Sequence, residues 1–203
     1  MPDLATALRD LLPEGVALGL PVAGDLPMEH PGPAIATRRA EFAAGRAAAR
    51  AAMAALGLPP APIPMGEDRA PVWPLGVTGS ISHCTGACLA VAGMADHWCG
   101  LGVDVEPLAP LDPSLWPVIL CPTEGQGGLL ALRSFVAKEA AYKAQYPLSR
   151  TVFDFHTLRL DWQGDFFTAR FTRPVAPFWP GAVLQGQLVQ AGGFLAAFVA
   201  VTA

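Results

Sequence analysis

The alternation of apolar and polar positions predicts a chain with two long helices and several strands. Residues 34–56 are rich in alanine with arginine at intervals, which is typical of a helix, and Gly57 with the prolines after it predicts where that helix ends. Residues 129–145 carry apolar side chains at helical spacing and predict the second helix. Short apolar runs predict strands at 87–92, 99–105, 153–155, 157–162, 166–171, 183–189 and 194–201, and proline-rich stretches predict loops at 59–78 and 107–122.

This order of elements predicts the α+β class. Each half of the chain supplies one helix and a small antiparallel set of strands, so we expect a first half over residues 1–103 and a second half over residues 104–203. The two halves share no convincing sequence repeat.

Composition narrows the classes of protein to which the chain can belong. With 52% hydrophobic and 15% charged residues it has enough apolar side chains for a core, which excludes intrinsic disorder. A net charge of −4 without a broad basic surface argues against nucleic-acid binding. No apolar run approaches the roughly 18 residues that a membrane span needs. The first residues also lack the pattern of a secretory signal.

Four cysteines, at positions 84, 88, 99 and 121, leave three interpretations open. They could form two disulfides or a zinc site, although the spacing of Cys84 and Cys88 is not that of a zinc knuckle and no His or Cys pair follows at ligand spacing. Buried, reduced thiols are the expected state, and with them a cytoplasmic location.

The two lysines of the chain lie close together in the second predicted helix, at positions 138 and 143, whereas every other basic residue is an arginine. An ammonium group is a compact point charge suited to a single phosphate oxygen, while a guanidinium is a planar fork. Helical spacing places Glu139 and Lys143 on one stripe with Leu132 and Val136. The stripe predicts that Glu139 faces the interior, where a cation or a metal has to meet its charge.

Asp104 and Glu106 form a second acidic spot at the end of a predicted strand. Side chains two apart in a strand point the same way, so both carboxylates share a face. With Glu139 they would offer three hard oxygen ligands of the kind that Mg²⁺ binds, together with waters and substrate phosphates. The alternatives are that Asp104 caps a loop and Glu106 is solvated, and that Glu139 and Lys143 form an ordinary surface pair.

Arginines and a Ser-His pair in the first half are further candidates for holding phosphate. Arg39, Arg46 and Arg50 lie along one face of the first helix and either grip phosphates in paired hydrogen bonds or are solvated. His83, which follows Ser82, either donates to a phosphate or is an ordinary buried histidine. Residues 68–74, Asp-Arg-Ala-Pro-Val-Trp-Pro, either hold a base by stacking or form a rigid turn.

Taken together, these segments resemble a known family, the 4′-phosphopantetheinyl transferases, and within it the type that serves siderophore, nonribosomal peptide and polyketide synthases. Three matching segments lie in the first half, namely Arg-Arg-Ala-Glu-Phe-Ala-Ala-Gly-Arg-Ala-Ala-Ala-Arg at 38–50, Arg-Ala-Pro-Val-Trp-Pro at 69–74 and Gly-Ser-Ile-Ser-His-Cys at 79–84. Gly-Val-Asp-Val-Glu-Pro at 102–107 and Phe-Val-Ala-Lys-Glu-Ala-Ala-Tyr-Lys-Ala at 135–144 together form the family signature. The resemblance is strong over residues 28–150, and Phe135 stands where the family often has Trp.

The resemblance implies a role for each matching residue. The Mg²⁺ ligands, with Mn²⁺ as a substitute ion, would be Asp104, Glu106 and Glu139. Glu139 would also be the candidate base, and Lys143 would hold the diphosphate of coenzyme A with Lys138 assisting. The positions that hold the 3′-phosphate, ribose and adenine of coenzyme A are matched by Arg38, Arg46, Arg69, Ser82 and His83. Glu124 stands near a position where the family often has an acidic residue.

The resemblance also implies a fold and a reaction. The fold would be a pseudo-dimer of two similar α/β halves, with the active site in the cleft between them. In the reaction, a serine hydroxyl of an acyl, peptidyl or aryl carrier protein attacks the β-phosphate of coenzyme A, and adenosine 3′,5′-bisphosphate leaves. Expected partners are therefore coenzyme A and carrier-protein domains. The position, length and low charge of residues 107–128 predict that this segment is a mobile docking loop for the carrier. We expect no nucleic-acid partner, no membrane span and a monomer.

Two other functions remain open at the level of the sequence. One is a different metal-dependent enzyme that acts on a nucleotide or a diphosphate, which would keep the three carboxylates without needing the arginines at 38–50. The other is a non-catalytic module that binds coenzyme A or a carrier protein.

Overall fold

The computed structural model describes residues 3–22 and 36–203. Its helices are α1 (Leu4–Arg9), α2 (Ala36–Ala55), α3 (Trp116–Ile119) and α4 (Gly128–Ser149), and its strands are β1 (Val16–Gly19), β2 (Val77–Cys84), β3 (Ala87–Met94), β4 (Trp98–Pro107), β5 (Leu158–Gln163), β6 (Phe166–Phe171), β7 (Val183–Ala191) and β8 (Phe194–Thr202). Short 3₁₀ turns lie at Pro113–Leu115 and Phe155–Thr157. The predicted α+β class is confirmed.

The strands form two antiparallel sheets, each covered by one long helix. The first sheet has the order β1-β3-β2 and the second has the order β4-β8-β7-β6-β5. Helix α2 buries Ala48, Ala52 and Met53 against Ala90 and Ala92 of β3. Alanine favours the helix itself and lets it approach the sheet closely. Helix α4 covers the second sheet in the same way, with Val136, Ala140 and Ala144 in the main core.

Serine side chains join the two sheets. Ser80 Oγ accepts a hydrogen bond from the backbone N–H of Val103 (3.1 Å), and Ser82 Oγ accepts one from Val105 (3.2 Å). Strand β2 is therefore attached to β4 through its side chains, although its backbone pairs with β3. Position 103 lies in the middle of β4, and β4 as a whole belongs to the second sheet. The predicted boundary at 103 and the predicted similarity of the two halves stay predictions.

The structure differs from several of the predicted elements. Strand β2 occupies 77–84, where the sequence patterns predicted no strand, because its polar Ser80 and Ser82 are buried against β4 instead of lying in a loop. The strand predicted at 153–155 is wrong, since Phe155–Thr157 forms a 3₁₀ turn. The sequence patterns did not indicate α1 and β1, and α3 lies inside the predicted loop at 107–122. The first two positions of the predicted helix at 34–56 lie outside the described residues.

The structure also bears on membrane-spanning helices and on the state of the cysteines. Within residues 3–22 and 36–203, no helix combines the length and the apolar composition needed to cross a membrane. All four cysteines are free thiols, with Cys121 buried and the other three half-buried. Burial raises the pKa of Cys84 and of Cys88 to about 11, so both thiols are held in the protonated form.

Candidate active site

A close contact between β4 and α4 places the acidic residues of the strand beside the helix. A Cβ atom on Gly100 would overlap the carbonyl oxygen of Ala144, and one on Gly102 would overlap that of Ala140. The two glycines therefore let the helix lie directly on the strand. Asp104 and Glu106 follow on the same face of β4, because side chains alternate along a strand.

Asp104 is the centre of the site. Its side chain is buried, and its Oδ1 accepts hydrogen bonds from Lys143 Nζ at 2.7 Å and from Ser82 Oγ at 2.8 Å. Lys143 Nζ also donates to the carbonyl of Val103 at 3.1 Å. The second oxygen of Asp104, Oδ2, is buried and has no hydrogen-bond partner within the described chain. Leaving a carboxylate oxygen unpaired costs free energy, so this oxygen is suited to a cation.

Glu106 and Glu139 lie close enough to Asp104 for their charges to interact. Burial is the main cause that raises the pKa of Glu106, and the charges of Asp104 and Glu139 raise it further while Lys143 lowers it. Burial also raises the pKa of Glu139; Lys143 opposes that rise and Asp104 adds to it. Three acids thus share one ammonium group, and their mutual repulsion favours the arrival of another positive charge.

The donor set fits a hard divalent cation that completes its shell with substrate. No group of three or more His, Cys, Asp or Glu side chains in the described parts of the chain is arranged to hold a metal ion as it stands. Mg²⁺, however, usually binds one or two carboxylates and takes its other oxygens from water and phosphate. The unpaired Asp104 Oδ2 and the neighbouring Glu106 and Glu139 can supply such a pair.

A cleft of about 440 Å³ opens next to these residues, and Lys143 lines it. Its walls are the turn at 68–73, residues 77–81 of β2 and the last two turns of α4. This volume lies within the range of small-molecule and cofactor sites. Lys143 lines the cleft and donates to Asp104, so a ligand in the cleft would lie beside the ammonium group that pairs with this carboxylate.

Aromatic rings and cations make up much of the cleft wall. Trp73 packs on Gly79, where a Cβ atom would overlap the indole ring, and the Trp73 Nε1 is buried with no hydrogen-bond partner among the described residues. Tyr142 and Tyr146 contribute rings 5.8 Å apart. Arg69 and Arg150 add positive charge beside Lys143. A flat, negatively charged ligand is complementary to such a wall.

Four of the five residues predicted for the nucleotide end of coenzyme A do not line this cleft. Arg38 is exposed in the first turn of α2, and His83 is exposed near the end of β2. Arg46 is buried, its Nε donates to the carbonyl of Ile63 at 2.6 Å, and its guanidinium lies 4.3 Å from the centre of the Phe42 ring. Of the five residues predicted for the nucleotide, Arg69 lines the cleft and Ser82 contacts Asp104.

Lys138 has a different environment from the predicted one beside the diphosphate. Its side chain is 1% exposed, and its Nζ donates to the Ile119 carbonyl at 2.7 Å and to Glu124 Oε2 at 2.8 Å. Glu124 also accepts from the backbone N–H groups of Cys121 (2.8 Å) and Leu160 (2.6 Å). The pair is thus a buried connection between α4, the segment after α3 and strand β5. Five positions along a helix turn a side chain to another face, which separates Lys138 from Lys143.

The sequence patterns did not indicate the row of side chains at the end of α4 that forms one wall of the cleft. Tyr142, Tyr146 and Arg150 are spaced by four and line the cleft together. Residues four apart in a helix lie on the same face, so this spacing next to Lys143 could have indicated that these side chains share a site with it. The sequence predicted either base stacking or a rigid turn for residues 68–74, and it did not indicate that Asp68 Oδ2 accepts from Tyr146 Oη at 3.0 Å and from Arg150 Nη1 at 3.3 Å.

Comparison with known proteins agrees with the resemblance found in the motifs. The family model described as the 4′-phosphopantetheinyl transferase N-terminal domain matches residues 29–93. The 4′-phosphopantetheinyl transferase Svp of Streptomyces mobaraensis is 39% identical over 169 residues, which are 77% of this chain and 68% of that protein. The 4′-phosphopantetheinyl transferase PptT of Mycobacterium tuberculosis is 35% identical over 179 residues, 82% of this chain and 79% of that protein.

A third relative is named as a component of a synthase and not as a transferase. Enterobactin synthase component D of Escherichia coli strain K12 is 38% identical over 117 residues, which cover 53% of this chain and 54% of that protein. Because the two transferases above are more than 30% identical and are covered over more than two thirds of their length, the family is established. The chain belongs to the 4′-phosphopantetheinyl transferases.

Proposed function

We propose that this chain transfers the 4′-phosphopantetheine arm of coenzyme A to a serine of an acyl, peptidyl or aryl carrier protein, and releases adenosine 3′,5′-bisphosphate. Besides membership of the family, one structural observation supports this proposal. Lys143 connects a buried acidic site, centred on Asp104, to a cleft of about 440 Å³. A phosphoryl-type transfer needs both parts, because most of its acceleration comes from positioning and from neutralising charge.

Mg²⁺, or Mn²⁺ in its place, would be held by Asp104 with Glu106 and Glu139. When bound, the ion would neutralise the charge that builds on the diphosphate during transfer. Lys143 adds to this effect, since its ammonium group would lie between Asp104 and the phosphates. Ser82 has a supporting role: its hydroxyl donates to Asp104 Oδ1 while its oxygen accepts from Val105, which fixes the carboxylate.

Glu139 is the candidate base for the serine hydroxyl. A base works best when its pKa lies near the working pH, and burial raises the pKa of Glu139 in that direction. Glu139 also lines a second, smaller cavity of about 110 Å³ with Tyr142 and Phe153.

Coenzyme A would place its nucleotide in the larger cleft. Trp73 and Tyr146 offer aromatic surface to a base, and Arg69 offers two parallel donors to a phosphate. The roles predicted for Arg38, Arg46 and His83 require a ligand that extends beyond the cleft walls toward α2 and the end of β2. Lys138 would support the site through its buried pair with Glu124 rather than by touching phosphate.

The carrier protein would dock on the segment between β4 and α4. Leu115 and Val118 are exposed in this segment, on and beside α3, and Leu129 is exposed in the first turn of α4. Exposed apolar side chains of this kind are typical of protein contacts. Replacing Leu115 and Val118 with Ser should raise the KM for the carrier and leave the KM for coenzyme A unchanged; an unchanged carrier KM would refute the docking site. We also propose that the chain acts as a monomer in the cytoplasm, which light scattering can test for the oligomeric state.

Product analysis tests the proposed function. The protein is incubated with coenzyme A and Mg²⁺, with a carrier protein, with its Ser→Ala variant, or with no carrier. Adenosine 3′,5′-bisphosphate should form only with the intact carrier. Release without a carrier would favour a hydrolase, and binding of coenzyme A without release in any mixture would favour a non-catalytic module.

A further inference from the structure

Asp68 connects the turn at 65–71 to the C-terminal end of helix α4, and residues on both sides of this contact line the cleft. Its Oδ1 accepts from the backbone N–H of Ala70 at 3.0 Å, which closes the turn. Its Oδ2 accepts from Tyr146 Oη at 3.0 Å and from Arg150 Nη1 at 3.3 Å, 78 and 82 positions further along the chain. One carboxylate therefore both shapes the turn and attaches it to the helix.

The same contacts join two unusual backbone positions. Arg69 (φ 67°) and Arg150 (φ 51°) are the two non-glycine residues with positive φ in the described chain. This conformation is disfavoured for residues with a Cβ atom and persists where surrounding contacts hold it, often at ligand-binding sites. Asp68 precedes Arg69 directly and bonds the side chain of Arg150, so it belongs to the contacts that hold both positions.

The Arg69 guanidinium is left available by this arrangement. The turn around it is closed by backbone hydrogen bonds between Gly66 and Ala70 (2.8 Å) and between Arg69 N and Gly66 O (2.9 Å). In the described part of the chain the side chain of Arg69 has no hydrogen-bond or ion-pair partner, and it lines the cleft. Asp68 is the acid next to Arg69 in the chain, but its Oδ2 already accepts from Tyr146 and Arg150 and so does not neutralise the Arg69 guanidinium.

We propose that Asp68 is a positioning residue for the nucleotide end of coenzyme A. Its bonds to Tyr146 and Arg150 hold the turn against α4, so that the Arg69 guanidinium stays in the cleft, uncompensated and ready to bind a phosphate. The inference rests on the proposed function, since coenzyme A is the ligand it assumes. It adds that affinity for the nucleotide depends on a contact between the first-half turn and the second-half helix.

Four variants test whether Asp68 acts through Arg69. Asp68→Asn keeps an oxygen for the Ala70 N–H but turns an amide donor toward Tyr146 and Arg150, and Tyr146→Phe removes a single hydroxyl. Arg69→Ala and the double variant D68N/R69A complete the cycle. Affinities for coenzyme A and for adenosine 3′,5′-bisphosphate are measured by calorimetry at one salt concentration, and thermal unfolding of each variant verifies its fold.

D68N and Y146F should each weaken binding of both ligands about 3- to 10-fold, the effect of losing one hydrogen bond. The KM for coenzyme A should rise while kcat at saturating coenzyme A stays unchanged. D68N should cause no further loss once Arg69 is replaced by Ala. Asp165→Asn is the matched control, because Asp165 is another exposed acid that accepts from an arginine, and it should alter neither affinity.

Two results would overturn the inference alone. One is unchanged affinity in both D68N and Y146F, and the other is an equal loss from D68N with and without Arg69. Failure of the wild-type protein to bind coenzyme A would instead overturn the proposed function, and the two failures are therefore distinguishable.

Discussion

Asp104 Oδ1 and Lys143 Nζ are 2.7 Å apart, although one residue lies on a strand and the other on a helix 39 positions later. The same oxygen also accepts from Ser82 on the other sheet at 2.8 Å. Three elements thus meet at a single carboxylate oxygen, and the second oxygen of Asp104 is left for a cation. The catalytic arrangement we propose depends on this junction.

Replacing Lys143 with Ala should reduce kcat/KM by roughly 10²- to 10³-fold, the effect of removing one group that stabilises developing charge. The variant also loses the donor to a buried carboxylate, so its thermal stability should fall modestly. Steady-state transfer kinetics with a carrier protein measure the effect. Lys143→Arg keeps the charge but not the compact shape and should recover only part of the activity. Activity of K143A within about threefold of wild type would contradict the role of Lys143.

Replacing Glu106 with Gln should stabilise the metal-free protein at high pH. The pKa of Glu106 is raised in the folded state, so the folded protein binds this proton more tightly than the unfolded chain does. The favourable contribution of the neutral carboxyl is therefore fully present below the ordinary pKa of 4.5 and is lost as pH rises through the raised value. In the presence of a chelator, the Tm of E106Q should be higher than that of the wild type at pH 8, and the two Tm values should be equal near pH 4.

Added Mg²⁺ should make the wild type more stable than E106Q at pH 8. A ligand that binds only the folded state raises its stability, and E106Q lacks part of the donor set. Mg²⁺ should therefore raise the Tm of the wild type more than that of E106Q, while Glu14→Gln, an exposed control, should behave as wild type does. Equal shifts in E106Q and wild type would show that Glu106 takes no part in metal binding.

Replacing Lys138 with Met should destabilise the fold without changing affinity for coenzyme A. Breaking a buried ion pair costs about 3–5 kcal/mol, because the remaining charge stays buried. Glu124 would be that remaining charge, with its side chain 5% exposed. Urea unfolding measures the loss, and Arg133→Met, which breaks a more exposed pair with Asp165, should cost less than about 1 kcal/mol. A large loss of coenzyme A affinity in folded K138M would instead support the prediction that Lys138 contacts the diphosphate.

Replacing Gly102 with Ala should push α4 away from β4. The new Cβ atom would overlap the backbone oxygen of Ala140, which cannot move aside as a flexible side chain can. We expect a loss of about 1–3 kcal/mol in the free energy of unfolding and a greater loss of activity, since Asp104 and Lys143 would separate. Gly125→Ala is the control, because its Cβ would meet only the flexible side chain of Leu130 at 3.1 Å. Full activity in G102A would show that the spacing of strand and helix is not critical.

The two long helices could be predicted from the sequence, because helical periodicity is local. The alternation of a strand likewise placed Asp104 and Glu106 on one face of β4, while their role as metal ligands stays a prediction. Helix α4 continues past the predicted end to Ser149, since Pro147 in the last turn removes only one N–H. Strand β2 was missed because Ser80 and Ser82 find their partners on β4, 23 positions away. The partner of Lys138 was equally hidden, because Glu124 reaches it only after the segment following α3 folds back on α4.

The central claim is transfer of a phosphopantetheine arm with Glu139 as its base, and the intact mass of a carrier protein tests it most directly. The carrier is incubated with coenzyme A, Mg²⁺ and either the wild-type protein or Glu139→Gln, and calorimetry confirms that both bind coenzyme A. We predict that the wild type adds the mass of one arm to the carrier and that E139Q adds none at the same protein concentration. An unmodified carrier with the wild type, across a panel of acyl, peptidyl and aryl carriers, or equal modification by E139Q, would contradict the account.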